Sequence, residues 1–299
     1  MRPTFVLETT YRGCMAKQRG WLEWEAEQAR EWIAVPGTAD DKYSRGVLGV
    51  RTGSEEYPGA AVLGVEAAMR AGVGLVRYLG PRRASTLVLQ RRPEAVTMPG
   101  RVQAWLLGSG MAASARDSVT AAALEDALAE GLPTICDAGA LDLAALATGP
   151  TVITPHYREL AGLLAGQTTP PTPAEIAAAP GEWAIRAARL LEVTVLLKGA
   201  VTHVASPSGA RLIVSTAPAW LATAGSGDVL GGILGALVAT HSAQIETNAD
   251  ALAALAATAA LIQSQAARRA SAGGPIVALD VALAVPATIA RLLANEPPE

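Results

Sequence analysis

Short apolar runs alternate with longer segments of helical period along most of this chain. Gly46–Val50, Leu75–Leu79, Ala104–Leu107, Pro133–Asp137, Thr151–Thr154 and Thr194–Gly199 read as strands. Between them, Gly59–Ala71, Ser114–Ala129 and Gly181–Leu191 carry the i, i+3, i+4 spacing of helices that lay one face on a sheet. Thr202–Ala205 and Arg211–Val214 flank Pro207-Ser208-Gly209 and read as a hairpin. Two or three long helices finish the chain. Trp21, Trp24 and Trp32 sit near helical spacing, so Trp21–Ile33 is expected to be an amphipathic helix, and Thr168–Pro180, with four prolines, a loop. Continuous apolar strands alternating with helices predict a mainly parallel sheet covered on both faces, in which ligands bind at the carboxyl ends of the strands.

Composition narrows the function classes. In 299 residues, 51% are hydrophobic and only 4% aromatic, so Ala, Leu, Val and Gly must build the core. The net charge is −3 and basic residues come at most in pairs, which excludes a broad cationic nucleic-acid face. Cys14 and Cys136 have neither metal-site nor disulfide-framework spacing and fit a reducing cytoplasm. Phe5–Leu7 is too short for a secretory leader and is followed by Glu8; Met15 is a candidate alternative start. The apolar run Ala249–Ile262 is too short to cross a bilayer. Residues 1–40 are expected to form an extension or helix, and 41–299 one domain.

Polar residues gather at the predicted strand ends: Gly108–Gly110, Asp137, His156, Lys198-Gly199 and the loop Gly225-Ser226-Gly227-Asp228. That loop precedes the apolar helical run Ile233–Val238. Small residues at a helix N-terminus expose backbone N–H groups where the helix dipole favours an anion. An acid there can take a proton from a hydroxyl while the loop holds a phosphoryl group; the simpler alternative is a turn in which Asp228 caps the helix. For Asp137 the alternatives are a magnesium or water-network acid and a helix cap.

Six segments in order, Tyr57–Leu63, Arg70–Val76, Asp137–Leu141, Thr154–His156, Leu197–Ala200 and Ala222–Leu230, resemble the ADP/ATP-dependent NAD(P)H-hydrate dehydratases, from about Lys42 to Leu293. The resemblance implies an α/β, ribokinase-like three-layer α/β/α sandwich. It also implies repair of hydrated NADH or NADPH with ADP or ATP and Mg²⁺, the substrate and nucleotide being the partners of a cytoplasmic homo-oligomer. It makes Asp228 the catalytic base and substrate contact, and Lys198, Gly199, Ala200, Val201, Thr202, Gly225, Ser226 and Gly227 the nucleotide site. Ala60, Ala61, Gly110 and His156 become substrate contacts, with no protein-held metal. The chain departs from the family pattern at Ser109, Ala112, Val201, Tyr157-Arg158, Ser215–Ala219 and Arg51. No epimerase domain is expected before residue 40. Another ribokinase-like small-molecule kinase, or a non-catalytic nucleotide-binding protein, are the alternative readings.

Overall fold

A computed structural model describes residues 20–296. Cys14, Met15 and the Phe5–Glu8 segment lie outside the described residues. One nine-stranded sheet runs through them: β1 (Leu22–Glu23), β2 (Val47–Arg51), β3 (Leu75–Tyr78), β4 (Ala104–Leu107), β5 (Thr134–Cys136), β6 (Thr151–Ile153), β7 (Thr194–Leu197), β8 (Thr202–Ala205) and β9 (Arg211–Val214). The order across it is β1-β9-β8-β7-β6-β5-β4-β2-β3. All neighbours are parallel except β8, which runs antiparallel to β7 and β9.

Strand side chains alternate faces, and each face has its own core. Leu48, Val50, Leu106, Ile135, Val152, Leu196 and Val204 point to one side. There they meet α2 (Pro58–Arg70), α8 (Ser226–Thr240), α10 (Ala251–Ser271) and α11 (Ala278–Ala294). Val47, Trp105, Leu107, Cys136, Ile153, Val195 and Leu197 point to the other. They meet α4 (Ser118–Ala129), α5 (Tyr157–Leu163), α6 (Pro173–Ala178) and α7 (Pro180–Leu191). Three shorter or peripheral helices complete the set: α1 (Ala26–Arg30), α3 (Arg82–Arg91) and α9 (Ser242–Thr247). In α8 the run Val229–Ala239 is buried throughout, as an all-apolar helix must be. Each of its fully buried leucines contributes roughly 1.5–3 kcal/mol.

The structure corrects the sequence reading at two places. Trp21–Ile33 is not one helix. Leu22 and Glu23 pair with Leu212 and Ile213 as a parallel edge strand, and only the short α1 is helical. Trp24 is buried, with its Nε1 donating to Thr258 Oγ1 at 3.0 Å. Sheet pairing and the core outweigh the helical spacing of the tryptophans. The proline-rich Thr168–Pro180 stretch contains α6, because its prolines fall where a helix accepts them. Pro173 and Pro180 open α6 and α7, and Thr172 and Glu175 form a capping box.

Candidate active site

The parallel strands deliver their polar C-terminal neighbours to one edge of the sheet. Asp137, directly after β5, is buried and accepts three hydrogen bonds: from Ser109 Oγ (2.9 Å), Thr154 Oγ1 (2.7 Å) and Lys198 Nζ (2.9 Å). Ser109 follows β4, Thr154 follows β6 and Lys198 follows β7. The Lys198 amide donates to the Pro155 carbonyl at 2.8 Å, and His156 bridges Lys198 in parallel, so the β6 and β7 ends stay in register past the strands. Asp137 precedes a 3₁₀ segment, Ala138–Leu146, but its side chain makes no cap bond there. It belongs to a network that fixes the lysine.

Lys198 is the cation of this cluster. Glu159 Oε2 lies 3.8 Å from its Nζ, beyond Asp137 at 2.9 Å. Burial pulls the amine's pKa down, but Asp137, Glu159 and Asp228 together outweigh burial and hold it above the ordinary lysine value. Asp228 has the opposite problem. Burial, reinforced by the charge of Asp137 and opposed by Lys198, pushes its carboxyl up to about 7.

Asp228 lies in the first turn of α8, and the N-cap is Gly225, so the acid is not the cap. Gly225 has φ +86°, where an L side chain is strained, and a Cβ there would come within 2.5 Å of Leu63 Cδ1. The first-turn N–H groups of α8 have no intrahelical acceptor. A Cβ at Gly227 would lie 3.6 Å from Lys198 Nζ, so the loop's backbone faces the amine across a narrow gap. From α10, Gln263 Nε2 donates to the Ser226 carbonyl at 2.5 Å and pins the loop from behind.

Two further groups flank this centre. On the β2–β4 side, Ala60 and Ala61 are buried in the first turn of α2. Gly110 approaches them so closely that a Cβ on it would meet Ala60 Cβ at 2.3 Å; its φ is +68°. On the β7–β8 side, Gly199, Ala200 and Val201 form the turn that leads into Thr202, the first residue of β8. A Cβ at Gly199 would fall 2.0 Å from the Tyr157 hydroxyl, so glycine is required there by packing as well. His156 is half exposed; it caps α5, its Nδ1 accepting from the Glu159 amide at 3.1 Å while Glu159 accepts from the His156 amide at 2.7 Å. Two strands, β5 and β6, separate the flanking groups. The Asp137, Lys198 and Asp228 cluster sits between them.

Sequence reasoning singled out Asp137, Lys198 and Asp228 but missed Ser109 and Thr154 as the hydroxyls that orient Asp137. Their signal was present, since both lie within two residues of strand ends that were already marked. The Ser215–Ala219 stretch is held by distant residues. Ser215 donates through its amide and hydroxyl to Glu23 of β1 (3.1 and 2.6 Å), and Arg268 of α10 donates to the Thr216 carbonyl.

Comparisons with known proteins place this geometry. The fold is ribokinase-like: a ribokinase-like superfamily protein of Enterococcus faecalis superposes with a TM-score of 0.75 at 20% identity, covering 92% of this chain and 97% of that one. The crystal structure of the ADP/ATP-dependent NAD(P)H-hydrate dehydratase of Bacillus subtilis, co-crystallized with ATP/Mg²⁺, superposes with a TM-score of 0.78 at 23% identity, covering 92% of this chain and 99% of that one. Residues 48–282 match the family model for NAD(P)H-hydrate dehydratase, and the chain belongs to that family. It is 44% identical over 235 residues to the bifunctional NAD(P)H-hydrate repair enzyme Nnr of Mycobacterium tuberculosis, a match that spans 73% of this chain and 46% of that enzyme. It is 32% identical over 228 residues to the ADP-dependent (S)-NAD(P)H-hydrate dehydratase of Xanthomonas campestris, spanning 69% of this chain and 76% of that one. The chain thus spans about half the length of the bifunctional relatives it matches.

Proposed function

We propose that this protein repairs hydrated NADH or NADPH, transferring a phosphoryl group from ADP or ATP to the hydroxyl that hydration places on the reduced ring. The observation that carries the reading is Asp228 in the first turn of a glycine-opened helix beside Lys198, its pKa pushed up to about 7 by burial. Asp228 takes the hydroxyl proton as the new O–P bond forms and the nucleotide's O–P bond breaks. A base whose pKa matches the working pH suits this step and contributes roughly 10²–10⁴-fold. The backbone N–H groups of Gly225, Ser226 and Gly227 receive the charge that develops on the phosphoryl oxygens. Phosphate then departs with a neighbouring ring proton, which restores the double bond.

Lys198 to Thr202 hold the nucleotide from the β7–β8 side in this reading. Ala60, Ala61, Gly110 and His156 receive the hydrated ring from the side of β2–β4 and β6. Asp137, with Ser109 and Thr154, holds Lys198 in place. A magnesium ion carried on the nucleotide phosphates takes at most one or two carboxylates from the protein, and in this reading Glu159, partly exposed beside Lys198, supplies one. When bound, the ion neutralises phosphate charge. Residues 41–299 form the dehydratase domain in this proposal and 1–40 an extension whose Leu22 and Glu23 complete the sheet edge. No helix among the described residues is long and apolar enough to cross a membrane. A cytoplasmic site and a homo-oligomer belong to the same proposal and rest on the family resemblance.

The test is recovery of the reduced-nicotinamide absorbance of hydrated NADH with Mg²⁺ and ADP or ATP, together with release of inorganic phosphate. Asp228→Asn is expected to lower turnover by at least about 10³-fold while nucleotide affinity changes little. Absent recovery with either nucleotide would reject the activity; an active Asp228→Asn would reject the base.

A further inference from the structure

The carboxyl edge of the sheet has a second concavity that the reading above leaves unused. It is a cavity of about 480 Å³ over the ends of β2, β3 and β4, walled on its outer side by α4. That volume is in the range of small-molecule sites, about 300–1,000 Å³. Its inner wall contains Gly53 and Met111. Gly53 lies against Ala61, where a Cβ on Gly53 would be 3.0 Å from Ala61 Cβ, and Met111 directly follows Gly110. The cavity therefore adjoins the residues proposed to hold the hydrated ring. It extends away from Lys198 and the β7–β8 turn.

The chemistry of the walls is specific. Leu79, Pro81, Met111 and Leu124 supply apolar surface suited to a flat ring. At the floor stands Arg51, the last residue of β2. Its Nη1 donates to the Leu79 carbonyl at 3.1 Å, its guanidinium lies 5.5 Å over the Trp105 ring, and its buried Nε has no hydrogen-bond partner. No carboxylate bonds it directly. Arg116, also in the wall, is committed to Asp142 and to the Gly139 carbonyl. The exposed rim is acidic instead, with Glu55, Glu56 and Asp117. A planar guanidinium that no carboxylate bonds, with apolar walls, suits a purine face, while rim carboxylates accept from ribose hydroxyls and repel an added phosphate.

We propose that this cavity seats the adenosine end of the hydrated dinucleotide, with its ribose hydroxyls unphosphorylated. The inference rests on the dehydratase reading and extends it to the half of the substrate that does not react. From β5, beside Asp137, to β3 is three strand spacings, about 14 Å, a reach that an extended dinucleotide spans. Binding energy from a remote half lowers KM or supports orientation at the reacting ring. The nucleotide donor would enter from the opposite side, so the two nucleotides do not compete for one adenine pocket.

Ala123 of α4 lines the cavity and is partly exposed, outside the catalytic cluster. Ala123→Trp fills the cavity. It is expected to raise KM for hydrated NADH at least tenfold with kcat little changed, and to leave turnover of hydrated reduced nicotinamide mononucleotide, which lacks the adenosine half, as in the wild type. Wild-type kcat/KM is expected to be at least tenfold higher for hydrated NADH than for hydrated NADPH. An unchanged KM for hydrated NADH in a folded Ala123→Trp protein overturns the site; equal kcat/KM for the two hydrates overturns the unphosphorylated ribose. Should the wild type restore none of these hydrates, the dehydratase reading fails by itself. NADH binding measured by titration then decides the cavity: binding lost in Ala123→Trp keeps it, and binding that is absent or unaffected by the variant removes it.

Discussion

Asp228 is costly to hold, and the proposed reaction uses that cost. Burial and Asp137 raise its pKa to about 7, so near neutral pH it exchanges readily between base and acid. In the proposed reaction only the ionised form accepts the proton. The expected kcat/KM for hydrated NADH therefore rises about tenfold per pH unit below 7 and levels above it. A flat profile between about pH 5 and 9 would remove Asp228 from the proton transfer. At this scale the sequence was legible where the backbone alone dictates chemistry: glycines before a helix and an acid in its first turn. The role of Asp137 was not legible, because both of its alternatives, a metal or water ligand and a helix cap, suit an acid at a strand end. The choice was made by Ser109 and Lys198, which are 28 and 61 residues away in sequence.

The position of Asp228 relative to Ala60 depends on how α8 packs against α2. Gly232 and Gly64 make this contact close, since a Cβ at Gly232 would fall 2.2 Å from the Gly64 carbonyl oxygen. Gly232→Val is expected to force the helices apart and destabilise the protein by about 3 kcal/mol, with activity falling further than the folded fraction does. Urea unfolding alongside turnover checks this; a loss below about 0.5 kcal/mol would mean that the contact is soft. At the opposite sheet edge, β1 and Trp24 lock residues 22–33 onto β9 and α10. Trp24→Ala removes a buried indole and leaves the Thr258 hydroxyl without its donor, at an expected cost of about 3–5 kcal/mol. Near-wild-type stability in that variant would place β1 and α1 outside the cooperative core. Most strands and the long helices were legible from period alone. α3, α5 and α9 were not picked out, because each buries too little to show a period: Ala84 and Val88 in α3, Leu160 in α5 and Ile245 in α9.

Two carboxylates shape the response of the whole molecule to pH, in opposite senses. For Glu66, burial raises the pKa. Hydrogen bonds from Arg92 (2.5 Å), Arg70 (2.6 Å) and Arg91 (3.2 Å) outweigh that and bring it to about 2. Below about pH 4.5 the unfolded chain binds this proton and the folded one does not, so stability falls as pH drops toward 2. Asp228 is raised, so between about pH 4 and 7 the folded state holds a proton that the unfolded state has released, and stability falls as pH rises through that window. The loss is of order 1–3 kcal/mol once solvent screening is allowed for. Asp228→Asn is expected to flatten the upper limb and to be more stable than the wild type at pH 8, while Glu66→Gln weakens the protein at neutral pH. Melting temperatures from pH 3 to 8 check both signs. An Asp228→Asn protein less stable than the wild type at pH 8 would contradict the burial of the charge.

The alternation of apolar runs and helical periods determined the parallel layers of this protein, because each period leaves only one way to bury its face. The same pattern, with the motifs at strand ends, determined which edge gathers the polar residues of the proposed site. Tertiary structure decided what local pattern cannot encode. It set the strand order that brings Asp137, Lys198 and Asp228 together, and it placed Leu22–Glu23 at the sheet edge instead of in a helix. It also enclosed the cavity floored by Arg51, whose walls come from β2, the β3–α3 turn and α4. Those outcomes depend on contacts between residues far apart in the chain, and their energies exist only once the sheet has formed.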